Sequence, residues 1–186
     1  PGKVIVLNAI DIKQLDTVAI DSFYKKAIHK PVYPFALRSS EIACFSSYRL
    51  AWQMLVDSDE DYCLIVEVDT VLDIQKFSRA LELALSSADS YSYVRFPIKD
   101  RESVKDLISY SAEIKHYSSG EIGLGMVVQL LGREAAKQLL SISKVIDRLV
   151  DTLMQLGWIT GISPTVVFPN GVSEISNLSF LQRTSF

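Results

Sequence analysis

Apolar residues along the chain occur either in short continuous runs or at intervals of three and four positions. Runs of about four to eight apolar residues are typical of strands, whereas apolar residues three and four apart form one face of a helix. This criterion predicts strands at residues 3–9, 62–69, 90–96, 113–117 and 126–131, and an extended segment at 158–169. It predicts helices at residues 15–28, 39–57, 74–86, 104–110, 132–140 and 144–157.

The segment at residues 39–57 has the clearest helical pattern. Ser39 or Ser40 is the predicted N-cap, and Glu41 falls in the first turn, where the helix dipole favours an acid. Apolar residues recur at helical spacing and predict one buried face, formed by Ile42, Phe45, Tyr48, Trp52 and Leu55.

The order of the elements predicts the fold class. Strands that alternate with helices indicate an α/β sandwich around a largely parallel sheet. The run at residues 62–69, YCLIVEVD, begins as a continuous apolar strand, the kind that is covered on both faces in a parallel sheet. No linker or repeat interrupts the pattern, so residues 1–186 are predicted to form a single domain. The glycines of GEIGLG, residues 120–125, predict a turn or a close backbone approach.

Composition narrows the classes of function. Apolar residues make up 48% of the chain and charged residues 22%, as in ordinary globular proteins. The formal net charge of −3 gives no support for nucleic-acid binding. No apolar run reaches the length of about 18 residues that a membrane-spanning helix needs, and the first residues lack a signal-peptide cleavage pattern. These features predict a soluble intracellular protein. Cys44 and Cys63 each lie inside an apolar segment and are predicted to be buried free thiols.

Two acids, Glu67 and Asp69, directly follow the apolar run at residues 62–66. In an extended segment, residues two apart point to the same side, so the two carboxylates would converge at a strand end. Like charges that converge are unfavourable unless a cation or hydrogen-bond donors neutralise them, and hard oxygen ligands suit Mg²⁺ or Mn²⁺. One hypothesis is therefore a site for a divalent ion and a diphosphate. The alternative is that both acids are solvated residues of a loop.

The chain resembles glycosyltransferase family 25, which includes lipopolysaccharide and lipooligosaccharide galactosyltransferases, over about residues 36–176. A first block, EIACFSSYR, starts at Glu41 and ends at Arg49, and a second, YCLIVEVD, ends at Glu67 and Asp69. Two later blocks, GLGMVVQLLGREAAKQLL and KVIDRLVDTLMQLG, are similar to further family motifs, and the second contains Asp147. VVFPNGVSEIS resembles the closing segment of the family.

The resemblance implies a GT-A-like, Rossmann-type fold with a nucleotide-sugar half at about residues 1–100 and an acceptor half at about 101–186. It implies inverting, metal-dependent transfer of a hexose, galactose above all, from a UDP-sugar to a surface glycan such as lipooligosaccharide. Asp69 would bind Mn²⁺ (or Mg²⁺), and Glu67 would contact the ion or the nucleotide. Glu41 and Arg49 would belong to the nucleotide-sugar site. Asp147 would be the catalytic base. Asp151, one helical turn on, would share the same helix face and is expected to contribute little.

The resemblance also implies partners and a location. The donor would be a UDP-hexose and the acceptor a glycan or glycolipid, which places a cytoplasmic enzyme at the inner face of a membrane. Four features depart from the family pattern: Val68 replaces an acid, Tyr48 a histidine and Met126 a tyrosine, and the N-terminal segment VLNAIDIKQ lacks the family's arginine. The three substitutions motivate a second hypothesis, a family-25-like protein that binds a sugar nucleotide or a partner without transferring the sugar. A third hypothesis is an unrelated α/β interaction domain.

Overall fold

The structure is a computed structural model and describes residues 3–11 and 17–175. It contains helices α1 to α6, with the bounds Thr17–Phe23, Ser39–Asp57, Ile74–Leu85, Arg133–Ile142, Val150–Met154 and Gly157–Thr160. It contains strands β1 to β8, with the bounds Tyr62–Val66, Thr70–Leu72, Tyr93–Arg95, Val104–Ser111, Ile114–Ser119, Val128–Gly132, Thr165–Phe168 and Val172–Glu174. The α/β class predicted from the sequence is confirmed.

The strands form a six-stranded sheet in the order β1-β6-β3-β7-β5-β4 and a two-stranded sheet of β2 and β8. In the larger sheet, β3 and β7 are parallel, and the other four neighbouring pairs are antiparallel. The prediction of a largely parallel sheet is therefore wrong, and a Rossmann-type arrangement is not confirmed. The spacing of apolar residues reports burial and period, but it contains no information on strand direction.

Hydrophobic cores lie on both faces of the larger sheet. Successive residues of a strand point to opposite faces, and Leu131 accordingly belongs to one core and Leu130 to the other. The first core packs α2, α4 and α5 against the sheet, and the second packs α3 against it. The predicted apolar face of α2 is confirmed, since Phe45 and Trp52 have no exposed surface. The edge strand β1 is less covered than predicted, because Leu64 is 37% and Val66 is 41% exposed.

The predictions for two short elements are wrong, because a short apolar pattern is compatible with more than one type of secondary structure. Residues 3–9 form no strand, and Val4 and Val6 are 91% and 87% exposed. Residues 104–110, predicted as a helix, belong instead to β4, which forms an antiparallel hairpin with β5. The turn of this hairpin contains Ala112 at φ 51°, a conformation that a helix through this region would not allow.

The helix predicted at residues 144–157 is interrupted in the structure. Its first part is irregular, because Ile146 forms a parallel bridge with Tyr24 and bonds the backbone of Phe23 and Lys25. Before Gly157, only α5 is helical within the predicted span. Gly157 was predicted to end a helix, but it begins α6. The predicted N-cap of α2 is also one residue or more late, since Arg38 occupies that position. Cys44 is exposed, which contradicts its predicted burial, and both cysteines are free.

The predicted helix at residues 15–28 is shorter in the structure, where α1 ends at Phe23, and residues 15 and 16 lie outside the described residues. Within the described residues, none of the helices has the length and apolar character needed to cross a membrane.

Candidate active site

The two acids of the EVD segment lie in a tight turn that connects β1 to β2. The N–H of Thr70 donates to the carbonyl of Glu67 at 3.1 Å, which closes a turn with Val68 and Asp69 at its two central positions. The expectation that residues 67–69 continue the extended strand is wrong. Val68, at the tip, is fully exposed, whereas the Glu67 side chain is half-buried.

Tyr48 holds the carboxylate of Glu67. Its hydroxyl donates a hydrogen bond to Oε1 of Glu67 and also lies 3.2 Å from the carbonyl oxygen of Met126. Burial and the negative charge of Glu67 raise the pKa of Tyr48 far above its ordinary value, so the phenol remains a donor. A residue on the apolar face of α2 therefore fixes the first acid of the turn.

The backbone of residues 123–127, here called the glycine loop, runs beside this turn. The N–H of Glu67 donates to the carbonyl of Val127 at 2.9 Å, and the N–H of Gly125 donates to Oδ2 of Asp151 at 3.3 Å. Gly125 has φ +103°, a backbone conformation that favours glycine. The prediction of a close approach is confirmed at Gly123, where a Cβ would lie 2.7 Å from Oε1 of Glu102, whereas nothing lies within 4 Å of a Cβ at Gly120 or Gly125.

Further carboxylates surround Glu67. Burial raises its pKa, and the charges of Asp69, Glu174 and Asp151 raise it further, whereas the hydrogen bond from Tyr48 lowers it. Glu174 reaches this position because β8 pairs with β2, which places Thr70 opposite Glu174. The backbone also joins these segments, since the N–H of Ile175 donates to the carbonyl of Asp69 at 2.9 Å. The turn is therefore a place of concentrated negative charge that a cation would relieve.

The donor chemistry fits a divalent ion that is shared with a phosphate ligand. Carboxylate oxygens are the ligands that Mg²⁺ and Mn²⁺ prefer, and Mg²⁺ is commonly held by one or two carboxylates together with substrate phosphates. The residues that the structure describes contain no group of three His, Cys, Asp or Glu side chains placed to hold a metal by themselves. Glu67 and Asp69 would therefore contribute part of a coordination shell, and the ligand would have to supply the rest.

A cavity of about 280 Å³ adjoins the acids. Glu174 lines it at one side, and the glycine loop and the segment after β3 form its walls. Two buried residues of opposite charge, Arg95 and Glu102, also line it, and Nη1 of Arg95 lies 2.9 Å from Oε1 of Glu102. Nη2 of Arg95 donates to the carbonyl of Gly125 at 2.8 Å, so this ion pair and the turn acids contact the same loop.

Comparison with protein-family models matches residues 3–154 to glycosyltransferase family 25, described as an LPS biosynthesis protein. The chain belongs to glycosyltransferase family 25. The family implies a glycosyltransferase of lipopolysaccharide biosynthesis, which uses a sugar donor and a glycan acceptor. A search of curated proteins finds no match to the chain. The recognition made from the sequence blocks is confirmed.

Two residues that the family-25 resemblance assigned to the nucleotide-sugar site make structural contacts. Oε2 of Glu41 accepts a hydrogen bond from the N–H of Arg38 at 2.6 Å, which stabilises the start of α2. Nη1 of Arg49 donates to the carbonyl of Leu140 at 2.9 Å and to Oγ of Ser143 at 2.5 Å. Arg49 thereby joins α2 to the end of α4. Nucleotide contacts by Glu41 and Arg49 stay predictions.

Asp147, the base that the family-25 resemblance suggested, lies in a buried ion pair. Its Oδ1 lies 2.8 Å from Nε of Arg148, and its Oδ2 accepts from the N–H of His29 at 2.8 Å. Burial opposes the charge of Asp147, but the hydrogen bonds from Arg148 and His29 prevail and lower its pKa. Nη2 of Arg148 also bonds the carbonyls of His29 and Pro31. The pair therefore anchors the segment around residue 30, and a catalytic role for Asp147 stays a prediction.

Several residues near the site escaped the sequence analysis. Glu174 had a signal, since it lies in the closing segment that resembles the family. Asp151 was expected to contribute little beside Asp147. Glu102 had none, because it follows β3 in an irregular segment without a motif. Tyr48 was predicted as part of the apolar face of α2, and its hydroxyl contact with Glu67 could not be read from spacing.

Proposed function

We propose that this glycosyltransferase transfers a hexose, galactose in the first instance, from a UDP-sugar to a surface glycan such as lipooligosaccharide, with inversion and with Mn²⁺. One observation carries the proposal: the turn at residues 67–70 presents two acids, and the charges of two more, Asp151 and Glu174, act on Glu67. A divalent ion with a diphosphate would neutralise this charge. Family membership supplies the sugar-transfer class.

The residues of the chain have separate tasks in this proposal. Asp69, which is exposed at the turn, is free to approach an ion from solvent. Glu67 is held in place by Tyr48 and would complete the protein's share of the ion's oxygen ligands. A bound divalent ion would supply charge stabilisation for the departing diphosphate. The acceptor hydroxyl needs a carboxylate base within hydrogen-bond reach.

Asp151 is better placed for this role than Asp147. Asp151 is half-buried, its charge acts on Glu67, and its Oδ2 contacts the glycine loop at Gly125. Asp147 is occupied by Arg148 and has a lowered pKa, which makes it a weaker proton acceptor. We therefore assign the base to Asp151.

The second candidate function is binding of a sugar nucleotide without transfer. The observation that favours it is the tie between Tyr48 and Oε1 of Glu67, which occupies one oxygen of a carboxylate that an ion would use. Val68 also leaves the turn with one acid fewer than the family pattern.

A donor screen separates the two functions. The full chain is incubated with a panel of UDP-hexoses and a lipooligosaccharide acceptor, with and without Mn²⁺, and released UDP is measured. Release that requires both Mn²⁺ and acceptor supports transfer. Mn²⁺-dependent binding of UDP in calorimetry without any release supports the binding function. If UDP fails to bind under either condition, both assignments of the turn are wrong.

A further inference from the structure

The cavity beside the acids has a buried carboxylate with an unused oxygen. Glu102 is only 5% exposed and lines the cavity. Its Oε1 accepts from Nη1 of Arg95 at 2.9 Å and from the N–H of Gly123 at 3.1 Å. Its Oε2 is buried and has no hydrogen-bond partner within the described part of the chain. A buried carboxylate oxygen without a donor is unfavourable, so a ligand that brings a donor to this wall would gain from it.

The rest of the cavity limits the chemistry of the ligand. Phe96, Pro97 and Val127 give it apolar surface, and its charged lining residues are Arg95, Lys99, Arg101, Glu102 and Glu174. An anion is disfavoured at Glu102, because the free Oε2 accepts hydrogen bonds and carries part of a negative charge. A cation alone would not use the apolar walls. A ring that combines C–H faces with hydroxyl donors satisfies both features.

We propose that this cavity is a saccharide subsite and that Glu102 is the residue that accepts a hydrogen bond from a sugar hydroxyl there. The identification of the ligand as a sugar rests on the proposed function. The ion pair with Arg95 and the N–H of Gly123 hold Glu102 in place, and Arg95 in turn holds the glycine loop at Gly125. Val127 lines the cavity and its carbonyl accepts from the N–H of Glu67 at 2.9 Å. Glu174 also lines it and pairs with Thr70, so the subsite lies next to the turn.

The sugar could be the hexose of the donor or a residue of the acceptor, and two measurements distinguish them. The first compares the affinities of UDP-galactose and UDP in the presence of Mn²⁺ by calorimetry. The second detects binding of free lactose by saturation-transfer NMR, without nucleotide or metal. Each is carried out on the full chain as wild type and as Glu102→Gln. In this variant the amide oxygen can still accept from Arg95 and Gly123, while an NH₂ group replaces the free acceptor.

Loss of a hydrogen bond to a charged group is expected to change affinity about tenfold. If the subsite takes the donor hexose, Glu102→Gln removes the advantage of UDP-galactose over UDP and leaves UDP binding unchanged. If it takes the acceptor, the variant loses the lactose signal. Glu121→Gln, an exposed acid on the neighbouring loop that does not line the cavity, is the matched control and should change neither measurement.

A second variant keeps the test valid if Glu102→Gln does not fold. Leu124 is 61% exposed and lines the cavity, so Leu124→Trp should obstruct sugar binding without disturbing a core. Leu107→Trp, at a 51% exposed position outside the cavity lining, is its control. The proposal is overturned if the cavity variants that fold match wild type in both measurements, or if wild type neither prefers UDP-galactose nor binds lactose. Failure of UDP to bind wild type would overturn the nucleotide assignment alone, because the lactose measurement needs no nucleotide.

Discussion

The hydroxyl of Tyr48 donates a hydrogen bond to Oε1 of Glu67 and thereby links the buried face of α2 to the turn after β1. The bond lowers the pKa of Glu67, in opposition to burial and to the surrounding acids. Burial and the neighbouring acids outweigh the hydrogen bond, so the pKa of Glu67 is raised overall. Loss of the hydrogen bond from Tyr48 would raise it further. The position where this chain departs from the family histidine thus bears directly on the candidate site.

Tyr48→Phe should shift the pH dependence of Mn²⁺-assisted UDP binding to higher pH. The metal needs the ionised form of Glu67, so binding is lost as the pH falls through its raised pKa. Loss of the Tyr48 hydrogen bond raises that pKa further, and the loss of binding then begins at higher pH. Calorimetric titrations over a pH series measure the midpoint.

The matched control for Tyr48→Phe is Tyr62→Phe. The hydroxyl of Tyr62 donates to the carbonyl of Ala88 at 3.1 Å, outside the turn. This variant also loses one hydroxyl but should keep the wild-type midpoint. An unchanged midpoint in Tyr48→Phe would show that the bond to Glu67 has no influence on the ion.

Asp69→Asn should weaken Mn²⁺-assisted binding of UDP by at least roughly tenfold, since changes to residues that only support metal ligands already cost that much. The substitution preserves the size of the side chain and removes its charge. Calorimetry with and without Mn²⁺ measures the effect, which should be confined to the titration with the ion. Asp59→Asn, at an exposed position before β1, should bind as wild type. Equal affinity in Asp69→Asn and wild type would exclude Asp69 as a ligand.

Asp147→Asn should destabilise the fold by about 3 kcal/mol at neutral pH, near the lower limit for breaking a buried ion pair. The pKa of Asp147 is lowered in the folded protein, so its stabilisation is present above the ordinary pKa of about 3.9 and is lost as the pH falls through the lowered value. Urea unfolding at pH 7 and at about pH 3 should therefore show a smaller difference between variant and wild type in acid. A stable variant with turnover reduced about 10²-fold would instead support the base assignment of Asp147.

Asp151→Asn should reduce turnover by about 10²-fold, the usual contribution of a positioned base, and should leave UDP affinity close to wild type. The reason is that Asp151 is among the acids whose charge reaches Glu67, and its Oδ2 contacts Gly125 beside the cavity. Steady-state rates and calorimetry on the same preparation separate the two effects. Turnover equal to wild type would remove Asp151 from the mechanism.

Gly123→Ala should destabilise the protein by about 1–3 kcal/mol, as overpacking of a close contact does. Its Cβ would lie 2.7 Å from Oε1 of Glu102, which is fixed by the buried ion pair with Arg95. Gly120→Ala is the matched control, because nothing lies within 4 Å of a Cβ at that position. Urea unfolding compares the two, and equal stabilities would mean that Glu102 adjusts freely.

The sequence predicted those parts of the fold in which the local pattern determines the structure. The apolar period of α2 and the apolar run of β1 identified both elements, and Glu67 follows its strand as expected. Strand direction was mispredicted because β1 pairs with β6, whose residues are distant in the chain. The turn at Val68 was not predicted because the local sequence contains few turn-forming residues. The turn depends on the pairing of β2 with β8, which the local sequence does not show.

The candidate site also contains residues that a local motif identifies and residues that only the tertiary structure identifies. Glu67 and Asp69 were found because they form a motif with the strand before them. Glu102 has no motif, and its position depends on a buried partner, Arg95, and on the backbone of Gly123. Asp147 was predicted to be the catalytic base because its segment resembles a family block. In the structure it forms an ion pair with Arg148, the next residue. Burial and partners of this kind cannot be read from spacing.

The pairing of β1 with β6 and of β2 with β8 also determines when the site can form during synthesis of the chain. Val66 pairs with Val128 and Thr70 with Glu174, so the turn between them waits for segments that leave the ribosome much later. Contacts between distant segments form slowly, because the entropy of closing long loops must be overcome first. Until then the apolar edge of β1 remains uncovered and open to other strands. The segment that contains β1 and β2 is therefore exposed to aggregation until the chain has been translated as far as Glu174.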